Sequence, residues 1–215
     1  MSLKSLRLKV PCYNYADICI RENTNPSQVF LILHGYKQSG NYIDQEFASL
    51  LPDHSIIISP NGFFPQVKKT STGYQLNYVW YFFDPVSQQF FIDYDLPATF
   101  LGQVYQSLDL GNLPLTIIGY SQGGYLSPFA AKKIPQTKRI IMINCRLRHD
   151  LLEGSIPFIV DMIQGEEDDV VNAKSSQESH KILLEDRKGR GNYHLLPGEG
   201  YHISVGIKNC LKKIL

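Results

Sequence analysis

The chain has 215 residues, 43% hydrophobic and 19% charged, which excludes a disordered, tail-like polymer and suits one α/β domain with a core of its own. Its 21 basic and 20 acidic residues leave a net charge of +1, with no block of five like charges as a footprint for nucleic acid or anionic lipid. No run reaches the roughly 18 apolar residues of a membrane span, the four cysteines (Cys12, Cys19, Cys145, Cys210) show neither CxxC spacing nor a metal-ligand rhythm, and MSLKSLRLKV lacks a secretory leader, so the expectation is a cytoplasmic protein with free thiols and no metal.

Residues 3–10 alternate enough for an edge strand, and Tyr15 to Arg21 follows as its partner in an opening antiparallel hairpin. Val29–Leu33 is a short continuous apolar run, the pattern of a strand covered on both faces. The same pattern recurs at Ser55–Ile58, Leu115–Ile118, Arg139–Ile143 and Phe158–Ile163, giving five buried strands. Helices are predicted at Tyr42–Leu51, Leu96–Leu108, Gly123–Ile134, Asn172–Arg187 and Ser204–Ile214, and a last strand at Tyr193–Leu196. Strands alternating with helices form βαβ units, hence a mostly parallel central sheet with helices on both faces. Ligands of such sheets bind outside the carboxyl ends of the strands, so chemistry is sought just after each apolar run.

After Ile118 comes Gly119-Tyr120-Ser121-Gln122-Gly123-Gly124, a G-x-S-x-G between an apolar strand and a predicted helix. A serine on such a sharp strand-to-helix turn stands above the sheet edge, and flanking glycines let strand and helix approach it. Pro128 is compatible with this helix only near its first turn. The competing reading is a glycine-rich turn with an incidental serine. A nucleophilic serine needs an acid and a base, here expected in the order Ser, Asp/Glu, His. The strand ending at Ile163 runs into Gln164-Gly165-Glu166-Glu167-Asp168-Asp169, where Asp168 is the candidate acid because G-x-x-D lets the loop turn back, and Asp169 the second choice. His202 follows the glycine-rich Gly198-Glu199-Gly200-Tyr201 and precedes the terminal helix, which makes it the candidate base. His34 is read as a brace of its loop, His194 as a strand residue, and His54, His149 and His180 as exposed. The backbone N–H groups of Gln122 and of Tyr36, after Gly35, are candidate oxyanion donors.

Eleven aromatic residues crowd residues 63–94, a segment whose only charges are Lys68, Lys69, Asp84 and Asp93. Too long for a plain βα loop, it reads as an insertion at about 63–95 over the carboxyl edge, with Tyr78, Trp80, Tyr81 and Phe82 as candidate substrate-pocket residues. A satellite core or a dimer patch is the competing reading.

With these motifs in this order, the chain resembles the α/β-hydrolase superfamily, and within it the phospholipase/carboxylesterase family that includes acyl-protein thioesterases. Leu33-His34-Gly35, Ser59-Pro60-Asn61, the segment Trp80 to Asp84 and the near-minimal length add to the likeness. The resemblance implies Ser121 as nucleophile, Asp168 as acid, His202 as base and an oxyanion hole from the backbones of Tyr36 and Gln122. It implies hydrolysis of small carboxylic esters or thioesters through an acyl-enzyme, without a cofactor, on residues 1–215 as a single domain. Two departures stand out: Lys37 replaces the middle glycine of the family's H-G-x-G-x-x-G loop, and the aromatic segment is longer and more apolar. A lipase, lysophospholipase or peptidase with the same triad, or a non-catalytic binding protein of this fold, is the alternative; oligomeric state is not legible.

Overall fold

The computed structural model describes residues 15–84, 86, 89–186 and 188–215. The first strand of the expected opening hairpin, 3–10, and Cys12 lie outside the described residues. Five of the strands are those foreseen from continuous apolar runs: β2 (Gln28–Leu33), β3 (Ser55–Pro60), β8 (Leu115–Tyr120), β9 (Thr137–Ile143) and β10 (Ile159–Gly165). With β1 (Ile18–Arg21) and β11 (Tyr193–Leu196) they form a seven-stranded sheet in the order β1-β3-β2-β8-β9-β10-β11. β1 is antiparallel to β3, and every other neighbouring pair is parallel.

Both faces of the sheet are covered, which is why its strands show no polar alternation. Val29, Leu31 and Leu33 of β2 point to one core with Ile117, Ile140 and Met142, while Phe30 and Ile32 point to the other with Ile118, Ile141 and Ile143. The first core is closed by helices α2 (Asp95–Ser107), α3 (Gln122–Lys133) and α4 (Ala173–Asp186), the second by α1 (Gly40–Phe47) and α5 (Val205–Ile214). Each fully buried Leu, Ile or Phe contributes about 1.5–3 kcal/mol, so the two cores dominate stability. α1 starts two residues before its predicted start because Ser39 caps it, its hydroxyl accepting the Tyr42 N–H, and its expected last turn tightens into a 3₁₀ turn at Ala48–Leu50.

Two expectations are corrected. Pro128 lies in the second turn of α3, and the helix continues through it to Lys133. His180 is buried rather than exposed, because its face of α4 packs on the sheet; its Nε2 meets the Val160 carbonyl at 3.1 Å, and burial lowers its pKa.

The aromatic segment folds as two antiparallel hairpins, β4 (Phe64–Thr70) with β5 (Gly73–Val79), and β6 (Phe82–Asp84) with β7 (Gln89–Phe91). A ladder of aromatic contacts joins them to the body: Phe64 meets Phe82 at 4.2 Å between centroids, Phe63 meets Phe100 at 5.2 Å, and Tyr94 stacks on Phe129 at 4.2 Å. At the sheet's far end the Arg139 Nε donates to buried Asp161 at 2.6 Å and its Nη1 to the Ile214 carbonyl at 2.8 Å, tying α5 to β9 and β10.

Candidate active site

Three neighbouring strands, β8, β9 and β10, end side by side, and each delivers one polar residue to the carboxyl edge. At the end of β8 Ser121 has φ 49° and ψ −115°, a backbone conformation that costs of order 1–3 kcal/mol and persists only where the surroundings impose it. Those surroundings are tight. A Cβ on Gly123 would stand 2.4 Å from the Leu33 carbonyl oxygen, and one on Gly119 would stand 2.4 Å from that of Gly123. The motif glycines therefore serve close backbone approach, and they aim Ser121 across the start of α3.

Gln122, the next residue, has its N–H at the first position of that helix, where no carbonyl within the helix can take it. Neither this N–H nor that of Tyr36 enters a hydrogen bond among the described residues. The loop bearing Tyr36 is braced from below by His34, whose Nε2 accepts the Gly62 N–H at 2.8 Å. That fixes the tautomer: the proton is on Nδ1, which donates to the Gly35 carbonyl at 2.7 Å. Burial holds this imidazole neutral, its pKa pushed down to about 4. Trp80 stacks on His34 at 4.9 Å and donates its indole N–H to the His34 carbonyl at 2.9 Å. Lys37 has φ 56°, so the backbone is left-handed at the position where the family's loop carries a glycine; its Nζ lies 4.9 Å from the Tyr36 ring centroid.

At the end of β10 Asp168 is buried and well held. Its Oδ1 accepts the N–H groups of Val170 and Val171 at 2.8 and 2.7 Å, and its Oδ2 accepts Gln164 Nε2 at 2.8 Å. Asp169 beside it is exposed. Between the two strands, at the end of β9, Asn144 donates its Nδ2 to the carbonyls of Gly200 and Tyr201 at 3.0 and 2.6 Å and accepts the Gly165 N–H at 3.1 Å. One side chain thus ties the histidine-bearing loop to the acid-bearing loop.

His202 is exposed, and no hydrogen bond among the described residues joins it to Ser121 or Asp168. Its neighbour is the one on the serine: Tyr201 Oη shares a 2.5 Å hydrogen bond with Ser121 Oγ. Neither Asn144 nor Tyr201 was picked out from the sequence. Asn144 follows an apolar run directly, the place where function was sought, whereas nothing in Gly200-Tyr201-His202 says which ring turns inward.

Of the four candidate pocket residues, Tyr78 lines a cavity of about 300 Å³ with Asn61, Phe63, Leu76 and Phe100. Trp80 and Tyr81 are buried in the core, and Phe82 is exposed against Phe64. Trp80 and Tyr81 work as a floor under the loops. Phe90, absent from the sequence-based choice, meets the rings of Tyr36 and Tyr81 at 6.1 and 5.8 Å. Among the described residues no group of three or more His, Cys, Asp or Glu could hold a metal ion, and no helix is long and apolar enough to cross a membrane.

No family model matches the sequence, and no curated protein matches it. Solved structures do. The fold is similar to that of esterase PE8, with a TM-score of 0.73 at 20% identity over 93% of this chain and 97% of that one. It is similar to Zea mays acyl-protein thioesterase 2, with a TM-score of 0.72 at 16% identity over 94% and 97%, and to a Bacillus cereus carboxylesterase, with 0.71 at 16% over 93% and 92%. The chain has the α/β-hydrolase fold. The turn after β8 joins that strand to α3, with Ser121 at its centre.

Proposed function

We propose that this protein is a serine hydrolase of small carboxylic esters or thioesters, working through an acyl-enzyme on one domain that spans residues 1–215. The observation that carries the reading is the strained backbone of Ser121 at the strand-to-helix turn, with two N–H groups, of Tyr36 and Gln122, unclaimed among the described residues at the ends of neighbouring elements. In this reading His202 takes the Ser121 hydroxyl proton while Oγ bonds to the acyl carbon, and the two N–H groups hold the oxyanion. The C–O or C–S bond then breaks and the leaving group departs with the proton from His202. Water, deprotonated by the same imidazole, releases the acid and restores Ser121. Asp168 orients the imidazole; its burial and three hydrogen bonds favour it over exposed Asp169. The chemistry calls for no cofactor. The described cysteines, Cys19, Cys145 and Cys210, are free thiols, in keeping with the cytoplasm.

The test is a panel of p-nitrophenyl esters and thioesters of graded chain length, with wild type and Ser121→Ala in parallel. Turnover should fall by about six orders of magnitude in the variant; hydrolysis retained by Ser121→Ala overturns the proposal. One observation favours a second reading, a non-catalytic binding protein of the same fold: the solvent-facing His202. A fluorophosphonate decides between them, since only an activated Ser121 is labelled.

A further inference from the structure

The nucleophile of the proposed reaction is covered by a residue from its own active-site loop. Ser121 is only 7% exposed, and Tyr201 Oη is 2.5 Å from its Oγ. The tyrosine is held there on three sides. Its ring packs on Tyr120 at 5.6 Å between centroids, its carbonyl accepts the Tyr120 hydroxyl at 2.9 Å, and the same carbonyl accepts Asn144 Nδ2 at 2.6 Å. Adjacent side chains leave the backbone in different directions, so with Tyr201 turned to the serine, His202 is turned to solvent. Among the described residues Ser121 Oγ has the Tyr201 phenol as its side-chain hydrogen-bond partner and no base, and with the phenol in place the imidazole beside it in the turn faces away.

We propose that Tyr201 is a gate residue: it holds Ser121 in a resting state, and catalysis begins when the Gly200–His202 turn rotates, withdrawing the phenol and bringing His202 onto the serine. The proposal rests on the serine-hydrolase reading and adds its regulation. The energetics are suited to a gate. With the Tyr201 carbonyl kept on Tyr120 and Asn144 as the pivot, the bond that is surrendered is the phenol–serine one, worth a factor of about five in an equilibrium, and the open state regains one from the imidazole. The turn has Gly198 at φ 72° and Gly200 at its hinge end, so rotation meets little side-chain obstruction. A closed fraction lowers the apparent affinity for substrate in proportion, so removing the phenol's hydroxyl acts on KM rather than on kcat.

The experiment compares wild type, Tyr201→Phe and Tyr201→Leu for the second-order rate of fluorophosphonate labelling, with the adduct mapped to Ser121, and for KM and kcat on p-nitrophenyl butyrate. The gate predicts labelling roughly fivefold faster in both variants, with a matching drop in KM. A tyrosine with only a packing role would give slower labelling, because a loosened loop misplaces His202. If wild type is labelled and Tyr201→Phe is no faster, the gate is overturned and the hydrolase reading stands. If neither protein is labelled, both fall.

Discussion

The side-chain amide of Gln122 clasps Trp80: its Oε1 accepts the Trp80 N–H at 2.8 Å while its Nε2 donates to the carbonyl of Tyr81, also at 2.8 Å. The residue next to Ser121 is thereby joined to the aromatic segment. Gln122→Ala would keep the main-chain N–H and strand two buried backbone groups. Each unsatisfied group costs about 1–3 kcal/mol, so denaturant unfolding should show a loss of about 2–6 kcal/mol. Weaker ester turnover should accompany it, as the floor under the Tyr36 loop loosens.

Acid should weaken the fold through His34. Its pKa is about 4 in the folded protein and about 6.5 when unfolded, so between these values the unfolded chain binds more protons. Stability is therefore fully present above about pH 6.5 and falls as pH drops toward 4, by up to about 3 kcal/mol from this residue. Buried His180 adds to the slope with the same sign. Denaturant midpoints measured from pH 7.5 to 4 in wild type and His34→Gln test this, and the variant should show the shallower fall.

Gly123→Ala should be among the most damaging one-carbon changes in the protein. The added methyl would lie 2.4 Å from the Leu33 carbonyl oxygen, and backbone on both sides must move. Overpacking of this kind costs about 1–3 kcal/mol. Fluorophosphonate labelling of Ser121 should fall further than the unfolding midpoint does, since the displaced turn carries the serine.

Removing Arg139 should cost far more than an exposed charge would. Asp161 is 1% exposed, and among the described residues its carboxylate has, besides the guanidinium, the Asn192 N–H and side chain as hydrogen-bond partners. Arg139→Ala leaves a buried carboxylate short of its counter-charge, a change worth about 3–5 kcal/mol. Arg139→Met with Asp161→Asn should recover part of the loss, and a loss no larger for the single variant than for the double one would refute this account.

The strands were legible because five of them are covered on both faces, and such strands show as continuous apolar runs whose ends mark the carboxyl edge. The candidates Ser121 and Asp168 lie just beyond two of those ends, after β8 and β10, and the candidate His202 lies beyond β11. The hairpins of residues 64–91 were less legible: Tyr74-Gln75-Leu76-Asn77-Tyr78 alternates, but Tyr74 and Leu76 stay exposed, so the alternation marks no core face. His180 was misjudged because helix periodicity in α4 is weak, with buried Ser176 and Ser179 on the packed face. The Tyr201–His202 choice was illegible for a simpler reason: it depends on the backbone path through a glycine-rich turn, which residue type leaves open.

The strand order also acts as a ruler. Ser121 and Asp168 follow β8 and β10, which are separated by one strand, so their chain positions stand two strand spacings apart, roughly 10 Å. In the proposed mechanism, an imidazole with a hydrogen bond at each ring nitrogen is about the right length to span what remains once both side chains reach inward. β9 thus contributes width as well as Asn144: had β8 and β10 been neighbours, there would be no room for a ring between them, and had two strands intervened, no single side chain would reach.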